Sequence, residues 1–274
     1  MTGALRHARH QAGRVLFGPR WAAFTIAAVL VAVLAAGEVE AEVSNSGLGA
    51  SALDVHAAAT NNLMFVGYLL LTSLAFVAGD RVAADLETGF VRPVVLRRLP
   101  VPAWWCAHLS AAACAACAGS AMVLAVTVGV GALKGMPLGG TPSALAIAPA
   151  LQHGAGLFPP IAAGVDMWAR QIAVAGYVAF GWFALLATAV SVTCWFPKRT
   201  LPVTLVLLGL MADLVAVKAS EHWRPASLGL RLLEGAHGRA VADALDVRVS
   251  VGLYAGLLVA AFALGLAGLR RRDL

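Results

Sequence analysis

The sequence predicts an all-α integral membrane protein with six transmembrane helices and an N-terminal interfacial amphipathic helix, and three observations carry that class. Of 274 residues, 60% are hydrophobic and only 12% are charged, whereas ordinary soluble domains carry about 25% charged residues. Mean hydropathy is +0.82, more than a water-soluble core of this size requires. The apolar residues also fall into runs near the ~20 that cross a bilayer with every backbone group bonded inside the helix. A net charge of +6 would raise the question of nucleic acid in a soluble chain. Here the bilayer accounts for it, because basic residues gather at the cytoplasmic ends of spans.

Residues 1–20 come first. Leu5, Ala8, Ala12, Val15 and Leu16 share one side of a helix, while Arg6, His7, His10 and Arg14 take the other. Such a helix lies in the membrane interface, and the apolar run after it reads as a retained anchor rather than a cleaved secretory signal. Spans are predicted near 21–37, 62–79, 104–133, 168–196, 201–217 and 249–269. The stretch 141–164 is apolar but holds Pro149, Pro159, Pro160 and several glycines. It is therefore predicted to be a re-entrant or surface-lying external segment rather than a seventh crossing.

Orientation follows from the basic residues. Arg6, Arg9, Arg14 and Arg20 precede the first span; Arg81, Arg92, Arg97 and Arg98 lie between the second and third. Lys198 and Arg199 lie between the fourth and fifth, and Arg270, Arg271 and Arg272 follow the sixth. The opposite connections hold most of the acids, among them Glu38, Glu40, Glu42, Asp54, Asp166, Glu221 and Asp246. Both termini are predicted to be cytoplasmic.

Few residues suggest chemistry. Cys114 and Cys117 form a C-x-x-C among small neighbours with no His or acid to complete a metal site, which reads as close helix packing. None of the three lysines, Lys134, Lys198 and Lys218, follows a glycine, so the chain has no phosphate-binding loop, and no zinc-protease or nucleophile-elbow motif accompanies its histidines. The chain is not expected to be an enzyme by itself. Asp213 lies inside an apolar run, and a carboxylate at that depth is a candidate pathway residue by default. Gly252 and Gly256 form a G-x-x-x-G able to seat a partner helix.

Residues 80–103 gather acids, bases and three prolines between two spans. Val82, Leu86 and Phe90 make an apolar stripe, Asp85 and Glu87 are read as facing away from it, and Gly89 ends or bends the helix before Pro93. A short amphipathic element held between two spans presents its charges to the cytoplasm on a stiff mount, suited to docking another protein.

Six spans, termini inside, an interfacial first helix, the acid-x-x-x-Gly of Asp85 to Gly89, Pro100 and His108 at the entry to span three, and the ending Leu258 to Leu274 resemble the permease subunit of ABC-2 type transporters. The resemblance implies a type V exporter-like permease fold, with 80–103 as the coupling segment and 219–248 as an external re-entrant segment. It places Asp85, Glu87, Gly89 and Phe90, with Arg92, Arg97 and Arg98 alongside, where a separate ATP-binding subunit docks. It also implies a dimer with a second permease copy or homologue, contact with membrane lipids, no nucleic acid, no directly bound cofactor, and ATP with Mg held by the partner. The place would be a bacterial cytoplasmic membrane, and the cargo a hydrophobic or amphipathic compound such as an antibiotic, lipid or peptide. A non-transporting membrane anchor or regulatory partner, and an intramembrane enzyme, are the alternatives.

Overall fold

A computed structural model describes residues 2–89, 100–147, 161–162, 164–233 and 246–272, and helix is the only regular structure among them. The helices are α1 (Thr2–Leu16), α2 (Trp21–Ser46), α3 (Ala52–Asn61), α4 (Met64–Glu87), α5 (Val101–Leu133), α6 (Ala144–Ile147), α7 (Met167–Thr193), α8 (Leu201–Ala219) and α9 (Val247–Arg270). Among the described residues six of these, α2, α4, α5, α7, α8 and α9, are long and apolar enough to cross a membrane. The chain is a multi-pass helical membrane protein by that criterion. Apolar side chains on the outside of α2, such as Ile26, Leu30 and Val33, are left bare, as lipid contact requires.

The longest helix, α5, is the central pillar, touched by α1, α2, α3 and α7. Its small residues explain this. Ala111, Ala112, Ala115, Ala116 and Gly119 are all buried, and without large side chains neighbouring backbones approach closely. Cys114 and Cys117 differ from the packing role read for them, because both are exposed. They lie on the other side of the helix from the alanines that pack.

Helix ends depart from the predicted spans where polar residues stay helical. Helix α2 continues past residue 37 to Ser46, carrying Glu40 to a 2.6 Å ion pair with Lys134, and ends at Gly47 with φ +69°. In α4 the first turns, Met64–Leu71, are π-helical. That winding shifts the backbone ladder, and the Trp182 indole donates to the Val66 carbonyl at 3.0 Å. Helix α4 then runs beyond residue 79 to Glu87.

Helix α3 has no counterpart in the sequence reading. Residues Ser51 to Thr60 are buried throughout, packed against α2 and α5. The Asp54 carboxylate accepts from the Ser51 backbone amide at 2.7 Å, fixing the first turn. Burial pushes the Asp54 carboxyl above its usual range. His56 lies 3.1 Å from the Thr127 hydroxyl through Nδ1 and has no partner at Nε2 among the described residues. Burial depresses its pKa to about 3.

Two ends of the bundle emerge. One gathers α1, the last turns of α4, residues 194–200 and the end of α9; the other gathers α3, α6 and residues 220–233. At the first end Arg272 donates to the carbonyls of Cys194 and Trp195 at 2.7 and 2.8 Å, and Arg271 lies over the Trp195 ring. Of the segment 141–164, residues 144–147 form one helical turn tied to Gly49 and Ile161 through the backbone; residues 148–160 and 163 lie outside the described residues. Of 219–248, Glu221–Ala226 and Leu230–Leu232 are short 3-10 turns, Leu232 is buried, and 234–245 lie outside the described residues. Gly252 and Gly256 are exposed on α9, and a Cβ at either would meet nothing within 4 Å among the described residues.

The tightest helix contact generates a prediction. A Cβ on Gly265 would overlap the Trp105 indole, whereas one on Gly252 would meet nothing within 4 Å. Gly265→Ala should cost about 1–3 kcal/mol of overpacking, read as a lowered melting temperature in detergent, and Gly252→Ala should leave it unchanged. His56 gives a second. Its folded pKa of about 3 lies below the unfolded 6.5, so its contribution is complete above pH 6.5 and drains as pH falls toward 3, by up to about 1.4 kcal/mol per unit. Melting between pH 7.5 and 5 should show a shallower loss in His56→Gln than in the wild type; equal slopes would contradict it.

Candidate coupling site and transmembrane cavity

The carboxylate of Asp85 is the meeting point of three helices. It sits three residues after Val82 and one before Leu86, so at 3.6 residues per turn it belongs to their apolar side rather than opposite it. The structure accordingly buries it, at 4% exposure, where the sequence reading had it facing the cytoplasm. Its Oδ1 lies 3.4 Å from the Arg14 guanidinium of α1. Its Oδ2 accepts from the Gln11 amide at 3.3 Å and lies 3.3 Å from Nε2 of His108 on α5, close enough for charge pairing but without hydrogen-bond geometry. Gln11 also accepts from Arg14 at 3.3 Å, which orients both donors.

This arrangement reverses part of α1. Val15, assigned to the membrane side, is buried against the bundle together with Gln11, while Leu5 is left bare, as a lipid-facing side chain is. His7 and Arg14, assigned to the polar side, turn inward toward His108 and Asp85. Burial, with His108 next to it, holds His7 below the ordinary histidine range. The end of α1 is fixed as well. Arg81 donates to the Arg14 carbonyl at 3.2 Å, a cation at a helix C-terminus, and the Trp21 indole donates to the Val15 carbonyl at 2.7 Å. Arg20 pairs with Asp80 at 2.5 Å. Two ion pairs therefore clasp α1 and its linker to the last turns of α4.

Glu87 lies beyond the clasp, partly exposed, and pairs at 2.8 Å with Arg199 between α7 and α8. Gly89 then turns the chain at φ +68°, a conformation glycine adopts without strain. Phe90, Arg92, Arg97 and Arg98 lie outside the described residues.

Asp213 belongs to the other end. Its Oδ2 accepts from the Ser227 hydroxyl at 2.6 Å and the Gly229 amide at 2.9 Å, and its Oδ1 from the Trp223 indole at 3.2 Å. The carboxylate thus ties residues 220–233 onto α8. It also lines a half-open cavity of about 550 Å³ whose walls include Leu71, Leu185, Val192, Val206, Leu210 and Leu257. The sequence reading missed Gln11 and Arg14 as partners of Asp85, and Ser227 and Gly229 as partners of Asp213. In each case the partner comes from a distant segment and carries no local signal. The nearest hint was the basic run before span one.

No protein family, curated protein or solved structure matches the chain.

Removing one member of a buried charged cluster leaves the others unpaired. Asp85→Ala should cost about 3–5 kcal/mol, whereas breaking the exposed Glu87–Arg199 pair should cost about 0–1 kcal/mol. Melting in detergent, with proteolysis timed at the arginines of α1, should show α1 released in Asp85→Ala and retained in Glu87→Ala.

Proposed function

We propose that the chain is the membrane-spanning subunit of an ATP-driven exporter, of the kind that the ABC-2 permeases represent, working with a separate ATP-binding subunit and a second permease copy or homologue. The observation that supports it most is the build of residues 80–89. They continue a membrane span past a single turn residue, Gly79, and α1 with its linker clasps them through Arg14, Arg20 and Gln11. A push on Glu87 to Gly89 passes into α4 and carries α1 with it.

In this reading Asp85 is a positioning residue rather than a docking contact, since a buried group cannot meet a partner. The docking edge is Glu87, Gly89 and the residues after them, Phe90, Arg92, Arg97 and Arg98, with Lys198 and Arg199 beside it. The ends of α4, α7 and α8 then share one cytoplasmic surface, joined by the Glu87–Arg199 pair. ATP binding in the partner supplies the differential affinity that selects one of two packings of the helices.

The path is read along α4, α7, α8 and α9, where the cavity beside Asp213 lies. The π-helical turns of α4 border it through Leu71, and such local rewinding often accompanies functional sites in membrane helices. A hydrophobic or amphipathic compound suits these walls. A bacterial cytoplasmic membrane and termini on the inner side complete the proposal.

The test is ATP hydrolysis by the chain co-purified with an ATP-binding subunit encoded beside it. Glu87→Lys should lower the stimulated rate several-fold while leaving the melting temperature within a degree or two, because the pair it breaks is exposed. A cysteine placed at Gly89 should react with impermeant maleimide only in inside-out vesicles. Unaltered hydrolysis in Glu87→Lys, or labelling of that cysteine from the exterior, would remove the proposal.

A further inference from the structure

We propose that the cavity bounded by α4, α7, α8 and α9 is a binding site for lipophilic monocations, with the Asp213 carboxylate as counter-charge; this deepens the export reading and rests on it for the cavity's role. Its volume of about 550 Å³ falls within the range of small-molecule sites, roughly 300–1,000 Å³. Its walls are almost wholly apolar, and the Thr188 hydroxyl on them is turned back to the Ala184 carbonyl at 2.9 Å. Asp213 is the charged residue on that lining.

The three groups that bond Asp213 are an indole N–H, a hydroxyl and a backbone amide. All are neutral. They fix the direction of the carboxylate and bring no positive charge to it. Among the described residues Asp80, Asp85, Glu40 and Glu87 each face a cationic side chain within ion-pair distance, and Asp213 faces none. Gly229 adds to the fixity, since a Cβ there would lie 2.8 Å from Oδ2.

A carboxylate with no cationic partner, set beside an apolar space, is a counter-charge for a cation that enters that space. A hydrated metal ion gains little from walls of leucine and valine. An organic cation gains from both: its charge meets Asp213, and its apolar body fills the space between Leu185, Val206, Leu210 and Leu257. An acyl chain of a lipid would fill the same walls with no regard for charge. Preference for one sign of charge at constant shape is therefore the property that identifies the site.

Tetraphenylphosphonium and tetraphenylborate have the same shape and opposite charge. Binding of each to the full chain in phosphatidylcholine nanodiscs, without nucleotide or partner, is measured by equilibrium dialysis against empty nanodiscs. The wild type should bind the phosphonium saturably and show no saturable binding of the borate. Asp213→Asn should abolish the preference. Gly209 lines the cavity, and a Cβ there meets nothing within 4 Å, so Gly209→Leu should occupy the space without disturbing the fold and weaken phosphonium binding at least about tenfold. It keeps the test decisive if Asp213→Asn does not fold. Equal binding of the two ions, absence of saturable phosphonium binding, or undiminished affinity in Gly209→Leu would overturn the site. Since no ATPase takes part, these outcomes are separate from loss of nucleotide coupling, which bears on the export reading alone.

Discussion

A carboxylate in a low-dielectric interior must be paired or lie against water, and Asp85 meets that demand by drawing three helices together. Arg14 and Gln11 come from α1, His108 from α5, and Asp85 itself from α4. Such a cluster adds little net stability, because the cost of removing charges from water offsets most of their attraction. Its effect is on register. Sliding α1 by one residue, a rise of about 1.5 Å, would carry Arg14 and Gln11 away from Asp85. The cluster therefore fixes the position of α1 along α4.

The remainder of the bundle is held by shape. Between helices in lipid there is no gain from removing apolar surface from water, so association depends on close contact and on polar groups bonded across the interface. Indoles dominate here. Trp105 lies over Gly265, Trp195 over Gly268 with its Nε1 donating to the Leu264 carbonyl at 3.0 Å, and Trp182 bonds the Val66 carbonyl. Each glycine makes room for a ring. The Trp104 and Trp105 indoles have no partner among the described residues, whereas those of Trp182 and Trp195 donate to backbone carbonyls. Arg272 does the same for the last carbonyls after α7. The end of the bundle that bears the proposed docking edge is thereby tied together by cations meeting helix C-termini.

The six spans were legible because about twenty apolar residues in a row leave few alternatives. Their limits were less so. Glu40 and Asp85 look like the ends of spans when charge alone is considered, yet both stay helical, the first paired with Lys134 and the second with Arg14. Helix α3 was invisible for a related reason. Ten residues are too short for a crossing, and its Asp54 and His56 read as loop chemistry, although "SALD" at its start carries a capping pattern. The position of Asp85 was recoverable from spacing alone, being on the Val82–Leu86 side. What could not be recovered was Arg14 as its partner, since nothing in the order of residues connects α1 to the end of α4.

Asp85 and Asp213 together show why hydrogen bonding by itself does not say whether an acid's charge is compensated. Both accept hydrogen bonds from distant segments, and both hold those segments in place. Asp85 faces Arg14, so the field of the pair falls off quickly and a further cation gains little there. Asp213 is held by neutral donors, so its field extends into the neighbouring cavity undiminished by any partner charge. Hydrogen bonds satisfy lone pairs without neutralising charge. A carboxylate satisfied in the first sense and not in the second still offers a charge for a cation to meet, and that difference, rather than depth in the membrane, is what the proposed cation site rests on.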